Sequence, residues 1–335
     1  MAVGFVDGRV RLFNAETGDQ IGSDFVGHED RVVAIAISTD GSLMVTAGAM
    51  DNTARLWQIP SGTVSQTFLH SGAVWTVDIS AAGTLVVVGG YGTQNSGNCC
   101  TVWSVLAGVP VTPVAAQNEV NSARFVCDGA WILTTSSDQT AALTEVATGS
   151  TFAVFVGHSA PVNDAAMSPD CSLVATAGHD AVKVWDVETL QCVSTLDGGG
   201  ANSVAFSPDG NYLAAGGMDG TPKLWHVGSW CRVHTYFGAH LPGGPIYDAA
   251  LSPDGALLLT AGGADRTARI WTTECRLDGD LNSDGQVALP DLAGLLANFG
   301  QPTACPTDGD LDGDGQVGLP DLAGLLASFG CSCPL

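Results

Sequence analysis

From the first residues to about residue 273, apolar and polar positions alternate in short runs broken by Gly, Asp, Asn and Ser, the signature of brief strands joined by tight turns. One stretch sets the pattern. Residues 177–196, AGHDAVKVWDVETLQCVSTL, read as a tight turn at Asp180 and a strand from Ala181 to Val187 carrying Trp185-Asp186. A polar break at Glu188-Thr189 then leads to a strand from Leu190 to Leu196. An Asp precedes an aromatic by five or six residues at Asp7/Phe13, Asp51/Trp57, Asp180/Trp185, Asp219/Trp225 and Asp265/Trp271. Asp138/Thr144 keeps the spacing without the ring, and Trp103 follows Gly97 where an Asp would stand. The seven positions from Phe13 to Trp271 are 40 to 46 residues apart, the period of four-stranded propeller blades.

Within each period one strand is apolar almost throughout, as an inner strand packed on both faces should be. Such strands are expected at 31–38, 73–79, 120–125, 162–167, 202–206 and 246–251, with a partner strand at 41–46 in the first complete blade. The turns that follow repeat a Ser-Pro-Asp pattern at Ser168-Pro169-Asp170, Ser207-Pro208-Asp209-Gly210 and Ser252-Pro253-Asp254-Gly255. Gly27-His28 and Gly157-His158 stand upstream of their blades. With the Trp-Asp dipeptide these features resemble the WD40 proteins over about residues 1–273, which implies a mainly β, seven-bladed propeller. The resemblance implies that His, turn Asp and Trp form a buried polar network in each blade. That network would comprise His28, Asp51 and Trp57; His158, Asp180 and Trp185; Asp219 and Trp225; and His240, Asp265 and Trp271. His70, His179, His226 and His234 read as isolated, surface histidines.

The chain opens in the middle of a blade, MAVGF-VDG-RVRLF, and after Trp271 runs into TTECRLDGD without a fourth strand. One N-terminal piece would complete both blades, so the expectation is an N-terminally incomplete propeller whose missing start also held a secretion signal. Two loops are unusual, 91–100 with its vicinal Cys99-Cys100, and 238–245. No HExxH, GxSxG, GxxxxGK[ST] or CxxCH motif occurs, and no residue is nominated as nucleophile or base.

The last sixty residues follow another rule. Asp280, Asn282, Asp284, Gly285, Gln286 and Asp291 recur thirty positions later as Asp310, Asp312, Asp314, Gly315, Gln316 and Asp321. Oxygen donors at loop positions 1, 3, 5 and 12, the carbonyl at 7 (Gln286 or Gln316) and Gly at 6 match a twelve-residue calcium loop. Two Ca²⁺ ions are therefore expected, with water at position 9, where Ala288 and Gly318 stand. A helix should follow each loop, starting at Pro290 and Pro320 and ending at Gly300 and Gly330. Leu292, Leu295, Leu296 and Phe299, repeated as Leu322, Leu325, Leu326 and Phe329, would form one apolar face per helix. Two such units facing each other across a two-fold axis would bury both faces. No entering helix precedes either loop. The arrangement resembles a type I dockerin, specifically the Cys-flanked dockerin-like tails of some bacterial secreted proteins. It implies a small α domain over 274–335 after the propeller of 1–273, and a cohesin-like or cell-envelope protein as the tail's partner. Leu289-Pro290 and Leu319-Pro320 stand where many dockerins carry hydroxyl residues, a departure that argues against a cellulosome.

Charge separates poor partners from plausible ones. The net charge is −23 with only two lysines, Lys183 and Lys223, which disfavours nucleic acid. No apolar run is long enough to span a membrane. Four of the ten cysteines, at 275, 305, 331 and 333, crowd into the tail, which favours disulfides and an oxidising compartment. These features together lead to an expected secreted or cell-surface scaffold. Its propeller would bind a protein or glycan and its calcium-dependent tail would anchor it. A polysaccharide-degrading hydrolase or lyase of propeller fold is the alternative, and an intracellular signalling scaffold is disfavoured by the calcium loops and cysteines.

Overall fold

Runs rich in Val, Ile, Thr and aromatic residues form the strands, and Gly- or Asp-bearing turns end them. The computed structural model describes residues 2–14, 17–92, 99–114, 119–196, 199–230, 232–236, 240, 244–273, 279–281, 286–301, 309–311 and 316–330. Among them are seven antiparallel sheets, each a simple meander. The first holds β1 (Ala2–Gly4), β2 (Arg9–Phe13) and β3 (Gln20–Val26). The second holds β4 (Val32–Ile37), β5 (Leu43–Gly48), β6 (Thr53–Gln58) and β7 (Val64–Leu69). The third runs through β8 (Val74–Ile79), β9 (Leu85–Gly90), β10 (Cys100–Ser104) and β11 (Pro110–Pro113). The fourth has β12 (Val120–Val126), β13 (Trp131–Ser136), β14 (Thr140–Glu145) and β15 (Thr151–Val156). The fifth has β16 (Val162–Met167), β17 (Leu173–Gly178), β18 (Val182–Asp186) and β19 (Cys192–Leu196). The sixth has β20 (Ala201–Phe206), β21 (Tyr212–Gly217), β22 (Pro222–His226) and β23 (Arg232–Thr235). The last has β24 (Ile246–Leu251), β25 (Leu257–Gly262) and β26 (Ala268–Thr272). Two helices, α1 (Leu289–Asn298) and α2 (Leu319–Ala327), follow.

The chain divides into two compact units, Met1–Gly178 with Trp185–Val193, and His179–Val184 with Ser194–Leu335. In the first unit the inner strands cross-link neighbouring sheets through polar groups. The amide of Val74 donates to the carbonyl of Ala49 (3.1 Å), and that of Phe125 to Asp78 Oδ2 (2.8 Å). Asn121 Nδ2 donates to the carbonyl of Val162 (2.8 Å), and Arg124 binds both oxygens of Asp164 at 3.0 Å. Burial pushes the Asp78 carboxyl up, against the two backbone amides that hold it ionised. In the second unit Asn202 Nδ2 donates to the carbonyl of Ile246 (3.0 Å), the same link one repeat later.

Two strand boundaries differ from expectation. The expected strand from Leu190 begins at Cys192, because Leu190 adopts φ +58° and its amide closes a turn onto the carbonyl of Asp186 (2.9 Å). The strand expected from Ala181 to Val187 spans only Val182 to Asp186. In the tail, Leu295 and Leu325 are fully buried and Leu292 and Leu322 pack beside them, but Leu296 and Leu326 are half-exposed. Each helix therefore uses a narrower apolar stripe than its sequence offers. The buried leucines meet a glycine: Leu325 Cα lies 3.3 Å from where a Cβ on Gly279 would stand, and Leu295 Cα lies 3.3 Å from the same point on Gly309. Each repeat thus seats its helix on the other repeat's loop. The amide of Gly300 donates to the carbonyl of Val317 (2.7 Å) and that of Gly330 to Val287 (2.8 Å), which repeats the exchange.

Candidate functional site

The polar network of the second sheet is built on three strand ends. His28 precedes β4, Asp51 lies in the β5–β6 turn, and Trp57 is the next-to-last residue of β6. His28 Nδ1 lies 2.7 Å from Asp51 Oδ2, and its Nε2 lies 2.7 Å from Thr46 Oγ1 on β5. Trp57 Nε1 donates to the same Thr46 oxygen at 2.8 Å. Donor and acceptor roles then close in one way: the indole N–H gives to Thr46, the Thr46 hydroxyl gives to His28 Nε2, and Nδ1–H gives to Asp51. A neutral imidazole is the form this scheme requires. Burial lowers the His28 pKa, and although burial also pushes Asp51 up, hydrogen bonds from His28 and Thr53 hold its carboxyl below the usual range.

The last sheet repeats the arrangement. His240 Nδ1 lies 2.8 Å from Asp265 and its Nε2 lies 2.9 Å from Thr260, which also accepts from Trp271 Nε1 at 3.0 Å. In the fifth sheet His158 Nε2 lies 2.7 Å from Thr176, and Trp185 Nε1 donates to that threonine at 2.9 Å. Asp180 stands in the turn before β18. The sixth sheet departs from the scheme. Asp219 Oδ2 accepts from the buried Lys223 ammonium at 2.8 Å, Thr221 adds a hydroxyl to Asp219 Oδ1, and Trp225 is buried.

The threonines were not singled out by the sequence reading, yet a signal exists. Thr46, Thr176 and Thr260 each occupy the fourth place of the second strand, in LMVTAG, LVATAG and LLLTAG, in the sheets that own a His. The same register corrects His70. It stands four residues before Val74, as His28 stands before Val32, and it is a blade histidine rather than a stray surface one. Its Nδ1 faces the carbonyl of Gly72 at 3.0 Å, while Nε2 is buried and, among the described residues, unpaired. Val88 of LVVVGG holds the place of the threonine. Val88→Thr is expected to raise stability by about 1 kcal/mol, because it supplies the missing hydroxyl without changing side-chain shape. A thermal melt no higher than the parent's would refute this assignment.

A second feature recurs at the start of every inner strand. β4, β8, β12, β16, β20 and β24 each bulge at their second residue, where the register against the neighbouring strand slips by one. A bulge re-aims the side chain it carries. In the first unit the bulged residues are Val33, Trp75, Asn121 and Asn163; in the second they are Asn202 and Tyr247. Asn121 and Asn202 are spent on the links described above. Val33 and Tyr247 are instead exposed, and Trp75 is half-buried with its Nε1 unpaired among the described residues. Backbone bonds bring further apolar side chains to the first-unit bulges. The Val32 amide donates to the Phe5 carbonyl, placing exposed Val6 nearby, and the Val74 amide donates to Ala49, placing exposed Met50 beside Trp75. The Tyr91 amide donates to Ala73, adding an exposed ring. Val6, Val33, Met50, Trp75 and Tyr91 thus lie at one end of the first unit's sheets.

Of the expected calcium ligands, Asn282, Asp284, Asp312 and Asp314 lie outside the described residues, as do Cys231, Cys275, Cys305, Cys331 and Cys333. Asp280, Asp291, Asp310 and Asp321 are buried, while Gln286 and Gln316 are exposed. Asp291 accepts from the amides of Leu281 (2.9 Å) and Ala288 (2.8 Å), and Asp321 accepts from those of Leu311 and Gly318, both at 2.6 Å. Position 12 therefore draws each loop's first and last turns together and caps the following helix from its third residue. A carboxylate offers about four lone-pair sites in all. This all-oxygen donor set fits Ca²⁺. Among the described residues no three His, Cys, Asp or Glu side chains cluster as a metal site, and no helix is long and apolar enough to cross a membrane.

Comparison with known proteins now fixes what the sheets are. The family of the WD domain, G-beta repeat, matches residues 18–58, 149–186, 190–226 and 230–272. The chain carries WD40 repeats. Its seven sheets are the blades of a WD40 propeller, a fold that generally mediates protein interactions. Pre-mRNA-processing factor 19 of Oryza sativa subsp. japonica is 28% identical over 283 residues, 81% of this chain and 52% of that protein. Autophagy-related protein 16 of Arabidopsis thaliana is 26% identical over 229 residues, covering 66% of this chain and 44% of its own. The serine-threonine kinase receptor-associated protein of Mus musculus is 29% identical over 273 residues, 80% of this chain and 73% of its own. The chain spans about half the length of the first of these relatives.

These relatives overturn the extracellular reading. Pre-mRNA processing and autophagy are processes inside cells, and none of the three relatives named above is a secreted anchoring scaffold or a polysaccharide-degrading enzyme. The secreted or cell-surface location is corrected with it, and the relatives point to the cell interior. The dockerin and calcium-binding descriptions have no counterpart among these relatives either. The error arose from weighting ten cysteines and a tail motif above the repeats that fill most of the chain.

Proposed function

We propose that the WD40 propeller, residues 1–273, is a non-catalytic scaffold inside cells that binds a protein partner through the bulged ends of its inner strands. The observation that carries this reading is the grouping of Val6, Val33, Met50, Trp75 and Tyr91 at one end of the first unit, where the ladder has no structural need for exposed apolar side chains. The chain's net charge of −23 favours a partner that surrounds its apolar contact with Lys and Arg. The serine-threonine kinase receptor-associated proteins, named for an association, support the same class of role. The test compares isotope-labelled co-purification on the parent chain and on Met50→Glu/Tyr91→Glu, both exposed positions. Expected is a drop of about tenfold or more in a defined set of partners with an unchanged thermal melt. Equal recovery by both proteins would reject this face.

For residues 274–335 we propose a dockerin-like fold, without the extracellular anchoring role, in which two Ca²⁺ ions are held by Asp280, Asn282, Asp284, Gln286 and Asp291 and by Asp310, Asp312, Asp314, Gln316 and Asp321. Supporting it are the paired, buried carboxylates at loop positions 1 and 12.

A further inference from the structure

Four of the six hairpin turns that follow the inner strands carry one Ser–Asp clamp. The third sheet's turn keeps Ser80 and Gly83 but has Ala82 in place of the Asp, and the fourth and fifth depart from the rule in complementary ways. In the second sheet Ser38 Oγ donates to Asp40 Oδ1 (2.6 Å), which also accepts the Ser42 amide (3.0 Å). These bonds hold the Asp40 pKa at about 2. The residue after the Asp is Gly41 at φ +71°. The sixth and last sheets repeat the clamp through Ser207–Asp209 and Ser252–Asp254, followed by Gly210 (φ +76°) and Gly255 (φ +71°). The fifth sheet keeps the clamp, Ser168–Asp170 at 2.6 Å, but puts Cys171 at the glycine place with φ +62°. A side chain in that left-handed region is disfavoured relative to glycine. The fourth sheet keeps its glycine, Gly129, but has Val126 where the clamping serine belongs. Its turn winds through Cys127 and Asp128 at φ +50° and +56°. The two departures meet: Cys127 and Cys171 are disulfide-bonded, with their Cα atoms 6.1 Å apart across 44 residues of sequence.

We propose that Cys127–Cys171 is a redox-controlled staple between the fourth and fifth blades, in which one covalent bond replaces the lost serine clamp of one turn and offsets the lost glycine of the other. Both cysteines are partly exposed, so small thiols reach them. The reaction balances as an exchange. A thiolate of one cysteine attacks glutathione disulfide and releases one glutathione thiolate; the second cysteine's thiolate displaces the other glutathione from the mixed disulfide. Two protein thiols and one glutathione disulfide become one protein disulfide and two glutathione thiols. Inside a cell, where the glutathione pool is mostly reduced, the staple opens by the reverse exchange and closes under oxidative load. Reduced, Cys171 holds an unfavourable backbone conformation with nothing gained in return.

Two measurements on the full chain test this. After equilibration with glutathione disulfide and alkylation without reductant, peptide mapping should recover 127 and 171 in one cross-linked fragment. Reduction should then lower the melting temperature of the parent chain by on the order of 5–10 °C. Cys171→Gly should lose that component of the reductant response and melt above the reduced parent, because glycine fits φ +62°. Full alkylation of both thiols after the glutathione disulfide treatment would overturn the staple. So would a Cys171→Gly chain that melts below the reduced parent or drops on reduction as far as the parent does.

Discussion

Replacing Thr46 with Val lowers the melting temperature of this protein by about 5–10 °C, while replacing it with Ser costs a small fraction of that. Thr46 is fully buried, and its single oxygen receives the Trp57 indole N–H and faces His28 Nε2. Valine has nearly the same shape, so the change leaves packing intact and removes only the hydroxyl. Two buried polar groups then lose their partner at about 1–3 kcal/mol each, and water cannot reach them to compensate. Serine keeps the oxygen and loses a methyl group worth about 1 kcal/mol. A neighbouring effect should accompany the valine variant. His28 loses the hydroxyl that fixes its tautomer, so its bond to Asp51 loosens and the β5–β6 turn loses an anchor. Paired thermal melts of the two variants decide the matter. If Val and Ser prove equally costly, the threonine is only filling space.

Calcium should change the tail more than any single substitution does. In the full chain, titration is expected to show two equivalents bound, and hydrogen exchange at the amides of Leu281, Ala288, Leu311 and Gly318 should slow by about a hundredfold or more on adding Ca²⁺. Those four amides are the ones that Asp291 and Asp321 accept. Removing the cation with a chelator should reverse this protection. Asp291→Ala should abolish one equivalent. Because Gly309 seats on Leu295 and Gly279 on Leu325, the second site should weaken as well. Exchange rates indifferent to Ca²⁺ and to chelator would remove the metal from the account, and the loops would then be ordinary acidic turns.

Much of the fold was legible because it is written seven times. A strand of six residues carries little information, but Asp and Trp recurring at fixed spacing locate the turn and third strand of one sheet after another. The inner strands stood out as apolar runs because they are packed on both faces. What was not legible depends on residues whose meaning is relational. Thr46 looks like any threonine in a β-strand, and only its alignment with Thr176 and Thr260 shows that it stands beneath a histidine. His70 looked isolated because Leu69 precedes it where Gly27 and Gly157 precede their histidines, and because Gly97 stands where its blade's turn Asp would be. Cys127 and Cys171 were passed over because cysteine density drew attention to the tail, whereas the useful signal was a missing serine in one turn and a missing glycine in the next. The exposed apolar positions gave no sequence signal at all, since a bulge at the second residue of a strand leaves the apolar run unbroken. The extracellular reading failed for a different reason. A compositional trend and a small module were allowed to speak for the whole chain, and compartment is not a property that strand periodicity carries.

The bulges have one more implication. Because each inner strand slips register at its second residue, that residue is excused from the hydrogen-bond ladder. Where the side chain makes no link to the next sheet, its identity is therefore free to drift while the blade stays folded, as Val33, Trp75 and Tyr247 illustrate. In the first unit the blades behave as a keyboard with interchangeable caps: new side chains at positions 33 and 75 address a new partner, and the mechanism underneath need not be rebuilt.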